Sequence, residues 1–73
     1  SGEYEKGVNE LSIFIEKDPH DIYCYISRAI GYYYTGKTNL ALADNNVVLE
    51  LDPNNARAIF NRSLCYHTLG MFE

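Results

Sequence analysis

The sequence predicts an all-α fold of antiparallel helix hairpins stacked in one register, and three observations predict it. Glu-x-Asp-Pro occurs twice, at 16–19 and 50–53. Each copy stands just ahead of an apolar run, and a glycine, Gly36 or Gly70, closes each run. Of the 39 pairs aligned by that 34-residue shift (73 − 34), seven are identical: Gly2/Gly36, Glu16/Glu50, Asp18/Asp52, Pro19/Pro53, Arg28/Arg62, Tyr32/Tyr66 and Gly36/Gly70. Roughly two or three would match by chance, and self-similarity at a period of this size marks stacked repeats.

The elements follow in order. A first helix near 3–17 ends ahead of Pro19, which cannot continue a helix and biases Asp18 toward extended backbone. Asp21 then offers a side-chain acceptor to the free amides of a second helix near 22–35, and Gly36 tolerates the left-handed conformation that ends it. A third helix near 38–51 stops before Pro53. Asn55 caps a fourth near 56–69, Gly70 closes it, and a stub follows at 71–73.

Packing follows from side-chain size. Ala29, Ser63, Gly7 and Ala41 are expected where the helices of a hairpin cross, because small side chains let the axes approach to about 8–10 Å. Tyr25, Ala29 and Tyr32 form one stripe of the second helix, joined by Leu40, Val47, Val48 and Leu51 and by Phe14. Arg28 recurs as Arg62 facing the hairpin interior. An unpaired guanidinium there would be costly, so Asp44 is the expected partner of Arg28.

The second helix carries another apolar stripe, Ile22, Ile26, Ile30 and Tyr33, flanked by Tyr23 and Tyr34. A helix apolar on two sides is either sandwiched in protein or presents a binding face. Tyrosine suits such a face, since its ring gives apolar area with a polar tip, and the chain has seven.

Charge and chemistry narrow the function. The formal charge of −4 opposes a phosphate-binding surface, so no nucleic-acid partner is expected. No run reaches the roughly 18 apolar residues of a membrane span, and no leader-like segment opens the chain. Membrane insertion is not expected; that absence leaves the compartment unknown, with a cytoplasmic one the first expectation. Cys24 and Cys65 match neither a disulfide framework nor a zinc motif and read as reduced, buried residues. Cys65 and His67 lie about 200° apart around a helix, too far to cooperate, and His20 reads as a solvated turn residue. No catalysis, cofactor or metal is expected.

The stretch YCYISRAIGYYYTGKTNLALADNNVVLELDPNN (23–55) resembles a tetratricopeptide repeat, through Tyr25, Ala29, Tyr32, Gly36, Ala41 and Pro53. The segment 56–73 resembles the first helix of a following repeat, through Ile59, Ser63, Tyr66, Gly70 and Phe72. Residues 1–19 resemble the second helix of a preceding one, through Gly2, Tyr4, Gly7, Leu11, Phe14 and Pro19. Thr38 and Asn45 depart from the pattern, standing where an aromatic and a large apolar residue are usual. The chain starts and stops in mid-pattern and looks like part of a longer protein.

The resemblance implies a non-catalytic scaffold that binds a peptide or helix of a partner protein in a concave groove. By position, that groove would show Tyr23, Ile26, Ile30, Tyr33 and Tyr34, then Arg57, Phe60, Asn61, Leu64, His67 and Thr68. Arg57 and Asn61 also match the first clamp position of the variety that holds the terminal carboxylates of heat-shock chaperones; the rest of that clamp would come from repeats outside this chain. Two alternatives are an accessory segment of a larger enzyme and a homodimer. The homodimer would form through uncapped ends, where Val8, Leu11 and Ile15 lack a covering helix.

Overall fold

The computed structural model describes residues 2–71. Their helices are α1 (Gly2–Lys17), α2 (Ile22–Tyr34), α3 (Thr38–Leu51) and α4 (Ala56–Thr68), with no strand among the described residues. The expected boundaries hold to within one residue. Thr35 and Leu69, expected inside helices, are the residues that cap them. Met71 is not helical, and the rest of the expected stub lies outside the described residues.

The helix ends are fixed by the predicted residues. An Asp21 carboxylate oxygen accepts from the Tyr23 N–H at 3.0 Å, and Asn55 Oδ1 accepts from the Ala58 N–H at 3.0 Å. Gly36 and Gly70 adopt φ of +82° and +77°, a region costly to any residue with a Cβ. Behind each glycine the chain doubles back. The Lys37 N–H reaches the Tyr32 carbonyl at 2.8 Å, and the Met71 N–H reaches the Tyr66 carbonyl at 2.7 Å. This is the six-to-one bond of a Schellman ending, which satisfies carbonyls a helix otherwise leaves free.

Each helix packs on its neighbours in sequence, and α2 also touches α4. The result is a slab of 35 × 29 × 14 Å. One core cluster joins Ile15, Tyr25, Ile26, Val48 and Ala58; another joins Ala29, Ala41 and Cys65. Tyr25 also donates its hydroxyl to the Pro19 carbonyl at 2.9 Å, tying the α1–α2 turn to the core.

The Arg28–Asp44 pair forms as expected. Arg28 Nε and Nη2 each donate to a different Asp44 oxygen at 2.8 Å, and Nη1 donates to Ser12 Oγ at 3.0 Å. The guanidinium also lies 5.8 Å from the Tyr25 ring centre and 5.5 Å from that of Tyr32. One side chain of α2 therefore links α1 to α3. Hydrogen bonding to Asp44 raises the Arg28 pKa, against the opposing effect of burial.

Several expected core residues point outward instead. On α3 the inward face is Thr38, Ala41, Asp44, Asn45 and Val48. Leu40 sits about 100° round from Ala41 and is exposed, as is Leu51 at the helix end. On α1 the face toward α2 carries Val8 and Ile15, which turns the adjacent Phe14 to solvent. Val8 and Ile15, expected uncovered, are buried, and Leu11 is half-buried. The close helix approach also falls elsewhere than expected. Ala29 and Ala41 are buried, but Ser63 is exposed and Gly7 has open space at its Cβ position. The tight crossing is at Gly31, where an added Cβ would lie 2.7 Å from Val8 Cγ2.

Candidate functional site

The α2–α4 contact creates a cleft suited to holding an apolar ligand group. At its near end Ile26 packs into the same core cluster as Ala58, whose small side chain lets α4 come close. Toward the far end larger residues hold the helices apart and leave an open cleft of about 180 Å³. Ile30, Tyr33 and Tyr34 line it from α2, and Phe60, Asn61 and Leu64 from α4. Ala29, Asn45 and Cys65 form its floor. The far end is pinned by a 2.9 Å hydrogen bond between the Tyr33 hydroxyl and Thr68 Oγ1.

Six of the eleven residues expected on the binding face thus meet at one cleft, and a seventh, Thr68, closes its end through Tyr33. Ile26 does not belong to that surface: only 4% exposed, it is core, because α4 covers it through Ala58. Tyr23 is 73% exposed but belongs to the first turn of α2 and does not line the cleft; Arg57 and His67 are exposed on α4, also outside its lining. Around the cleft Tyr34 and Phe60 stay well exposed. Tyr34 is held by stacking on Tyr4 of α1, ring centres 5.3 Å apart, and by an edge contact with Tyr33 at 5.6 Å. The sequence gives no sign of the Tyr4–Tyr34 stack, since it depends on where α1 crosses α2.

The floor is polar in an unexpected way. Asn45 is 1% exposed, and its amide nitrogen donates to Cys65 Sγ at 4.0 Å. Among the described residues its Oδ1 is buried without a partner, and so is Nδ2 of Asn61. Each such orphan costs about 1–3 kcal/mol. The signal was in the sequence: Asn45 is the residue that departs from a position where a large apolar side chain is usual.

The two thiols suit a structural role. Burial raises the Cys65 pKa, more strongly than the contact with Asn45 lowers it. Desolvation raises that of Cys24, helped by the negative charge of Asp21. Both are free, and a raised pKa keeps the reactive thiolate scarce. Among the described residues no group of three or more His, Cys, Asp or Glu side chains is placed to hold a metal. No described helix is long and apolar enough to cross a membrane.

Fold and cleft together define an all-α stack of helix hairpins with an apolar interhelical groove. Over 64 residues, 86% of its length, the chain is 34% identical to the Protein SGT1 homolog of Homo sapiens and covers 18% of that protein. It is 33% identical to the Bos taurus Protein SGT1 homolog over 64 residues, 19% of that protein. It is also 35% identical to Protein PHOX1 of Arabidopsis thaliana over 63 residues, 8% of that protein. The chain therefore spans less than a fifth of the length of each of these relatives. No family model matches it.

Proposed function

We propose that this chain is a tetratricopeptide-type unit that binds a peptide or helix of a partner protein in the α2–α4 groove, without catalysis. Residues 1–19 would be the second helix of one repeat, 22–55 a complete repeat, and 56–73 the first helix of the next. The observation that carries the reading is the grouping of Tyr34, Phe60 and Leu64, all solvent-accessible, around one cleft while the same helices send their other apolar faces into the core. Aromatic side chains around a partly desolvated pocket are the usual anchors of an interface. The similarity supports this too. One short segment recurs within proteins of which it forms 18% or 8%, as a reusable interaction unit would.

The test is selection of binding peptides from a random displayed library, followed by chemical-shift mapping of the site. Peptides should shift signals of Tyr33, Tyr34, Phe60 and Leu64, and Phe60→Ala should weaken them about tenfold. Because Phe60 is exposed, thermal stability should change little. Peptides that shift only α1 and α3, or that ignore Phe60→Ala, would overturn the assignment.

Self-association is a second reading, favoured by Ile13 and Phe14, exposed side by side on α1. A clean monomer by light scattering at millimolar concentration would dismiss it.

A further inference from the structure

The cleft floor identifies what kind of side chain the groove takes, given that the groove reading above holds. Among the described residues Asn45 Oδ1 is a buried acceptor without a donor, and Asn61 Nδ2 is a buried donor without an acceptor. Both residues line the same cleft. They do not satisfy one another, since no hydrogen bond joins them, so whatever completes the site must offer a donor and an acceptor together. The walls above them, Ile30, Phe60 and Leu64, are apolar.

We infer that the notch over Asn45 is a pocket for a carboxamide side chain, glutamine or asparagine, of the bound peptide. The apolar shaft lies between Ile30 and Leu64. The carboxamide NH₂ donates to Asn45 Oδ1, and its carbonyl accepts from Asn61 Nδ2. Charged and aliphatic side chains fit less well, as does water. A carboxylate brings no donor for Asn45 and would bury a charge on a chain of net charge −4. An ammonium or guanidinium brings no acceptor for Asn61. A purely aliphatic side chain leaves both atoms as they are. A lone water satisfies two polar atoms but leaves most of a 180 Å³ cleft with apolar walls unfilled.

The pocket also accounts for Asn45 itself. A large apolar residue there would fill the floor and need no partner. Asparagine opens the space and leaves a polar atom whose cost a matching ligand group removes, so specificity is written where stability is forgone.

The experiment titrates the isotope-labelled chain with two blocked amino acids, N-acetyl-glutamine methylamide and N-acetyl-norleucine methylamide. The glutamine probe should saturably shift the side-chain NH₂ signals of Asn45 and Asn61 and bind about tenfold tighter than the norleucine probe. Asn45→Leu, which fills the notch, should abolish binding of the glutamine probe. Asn45→Ala, which leaves it open but removes the acceptor, should erase the preference. Equal binding of the two probes, or an unaltered preference in Asn45→Ala, would overturn the pocket. Shifts at Tyr34 and Phe60 with norleucine alone would sink the carboxamide pocket yet leave the groove standing. Silence from both probes with water-like exchange at Asn45 would mean a solvent-filled notch, and the pocket would again be rejected.

Discussion

Arg28 and Arg62 hold the same register position 34 residues apart and meet different surroundings. Each donates Nη1 to a polar residue 16 positions earlier on the preceding helix, Ser12 at 3.0 Å for Arg28 and Asn46 at 3.1 Å for Arg62. Each also lies over the tyrosine four residues on, Tyr32 at 5.5 Å and Tyr66 at 5.9 Å. Only around Arg28 do the described residues complete the arrangement, with Asp44 held by two bonds and 6% exposed. The difference teaches that a repeat copies geometry, while the energy of each copy is set by what surrounds it.

The comparison breaks most visibly at its acidic partner. Asp44→Ala leaves Arg28 largely buried without its carboxylate, and a loss of about 3 kcal/mol is expected. For so small a domain this is a fall of roughly 15 °C in Tm. Arg62→Ala, lacking a comparable buried pair among the described residues, should cost no more than about 1 kcal/mol. Similar losses in the two variants, measured by thermal unfolding, would show that the buried pair adds nothing.

The next effect contrasts Ala29 with its counterpart Ser63. Ala29 is 1% exposed between helices, so Ala29→Leu should overpack the crossing and cost about 2 kcal/mol. Ser63→Leu should stay within about 0.5 kcal/mol, because that face of α4 is open. A tolerated leucine at 29 would mean that the hairpin relaxes more freely than its packing suggests.

Smaller still is the contrast between two helical glycines. Gly31→Ala places a Cβ 2.7 Å from Val8 Cγ2 and should destabilise by about 1 kcal/mol, recovered in part by Val8→Ala. Gly7→Ala meets open space and should stabilise by about 0.5 kcal/mol through helix propensity alone. Matching signs in denaturant unfolding would contradict the assigned crossing point.

The smallest effect separates the thiols. The Cys65 pKa is raised above 9.0 in the folded chain, so the native state favours its protonated form. Its contribution to stability is full below pH 9.0 and is lost as pH rises through the higher folded value. At pH 8 the half-exposed Cys24 should alkylate with iodoacetamide before Cys65. Equal rates in the folded chain would show that the Cys65 site opens freely.

What the sequence made legible is what depends on local rules. Proline, the Asp21 and Asn55 caps and the left-handed glycines act within a few residues of themselves, so helix ends could be placed to a residue. Arg28–Asp44 was readable because a buried charge demands a partner, and the neighbouring helix had few to offer. The cleft was readable in part. Ile30, Tyr33, Tyr34, Phe60, Asn61 and Leu64 share it, but Ile26 was misplaced, because α2 is apolar on two sides and composition does not say which stripe a neighbour covers. Leu40, Leu51 and Phe14 went wrong for the same reason. A rotation of 100° between adjacent residues decides burial, and that rotation is set by tertiary contacts such as Gly31 on Val8.

Nearest-neighbour packing carries a last consequence. α1 leans on α2 alone, and α4 on α3 and more lightly on α2, so the stack opens first from its edges. Backbone amides should exchange with solvent in that sequence, slowest in α2 and α3, where the guanidinium of Arg28 fastens three helices together.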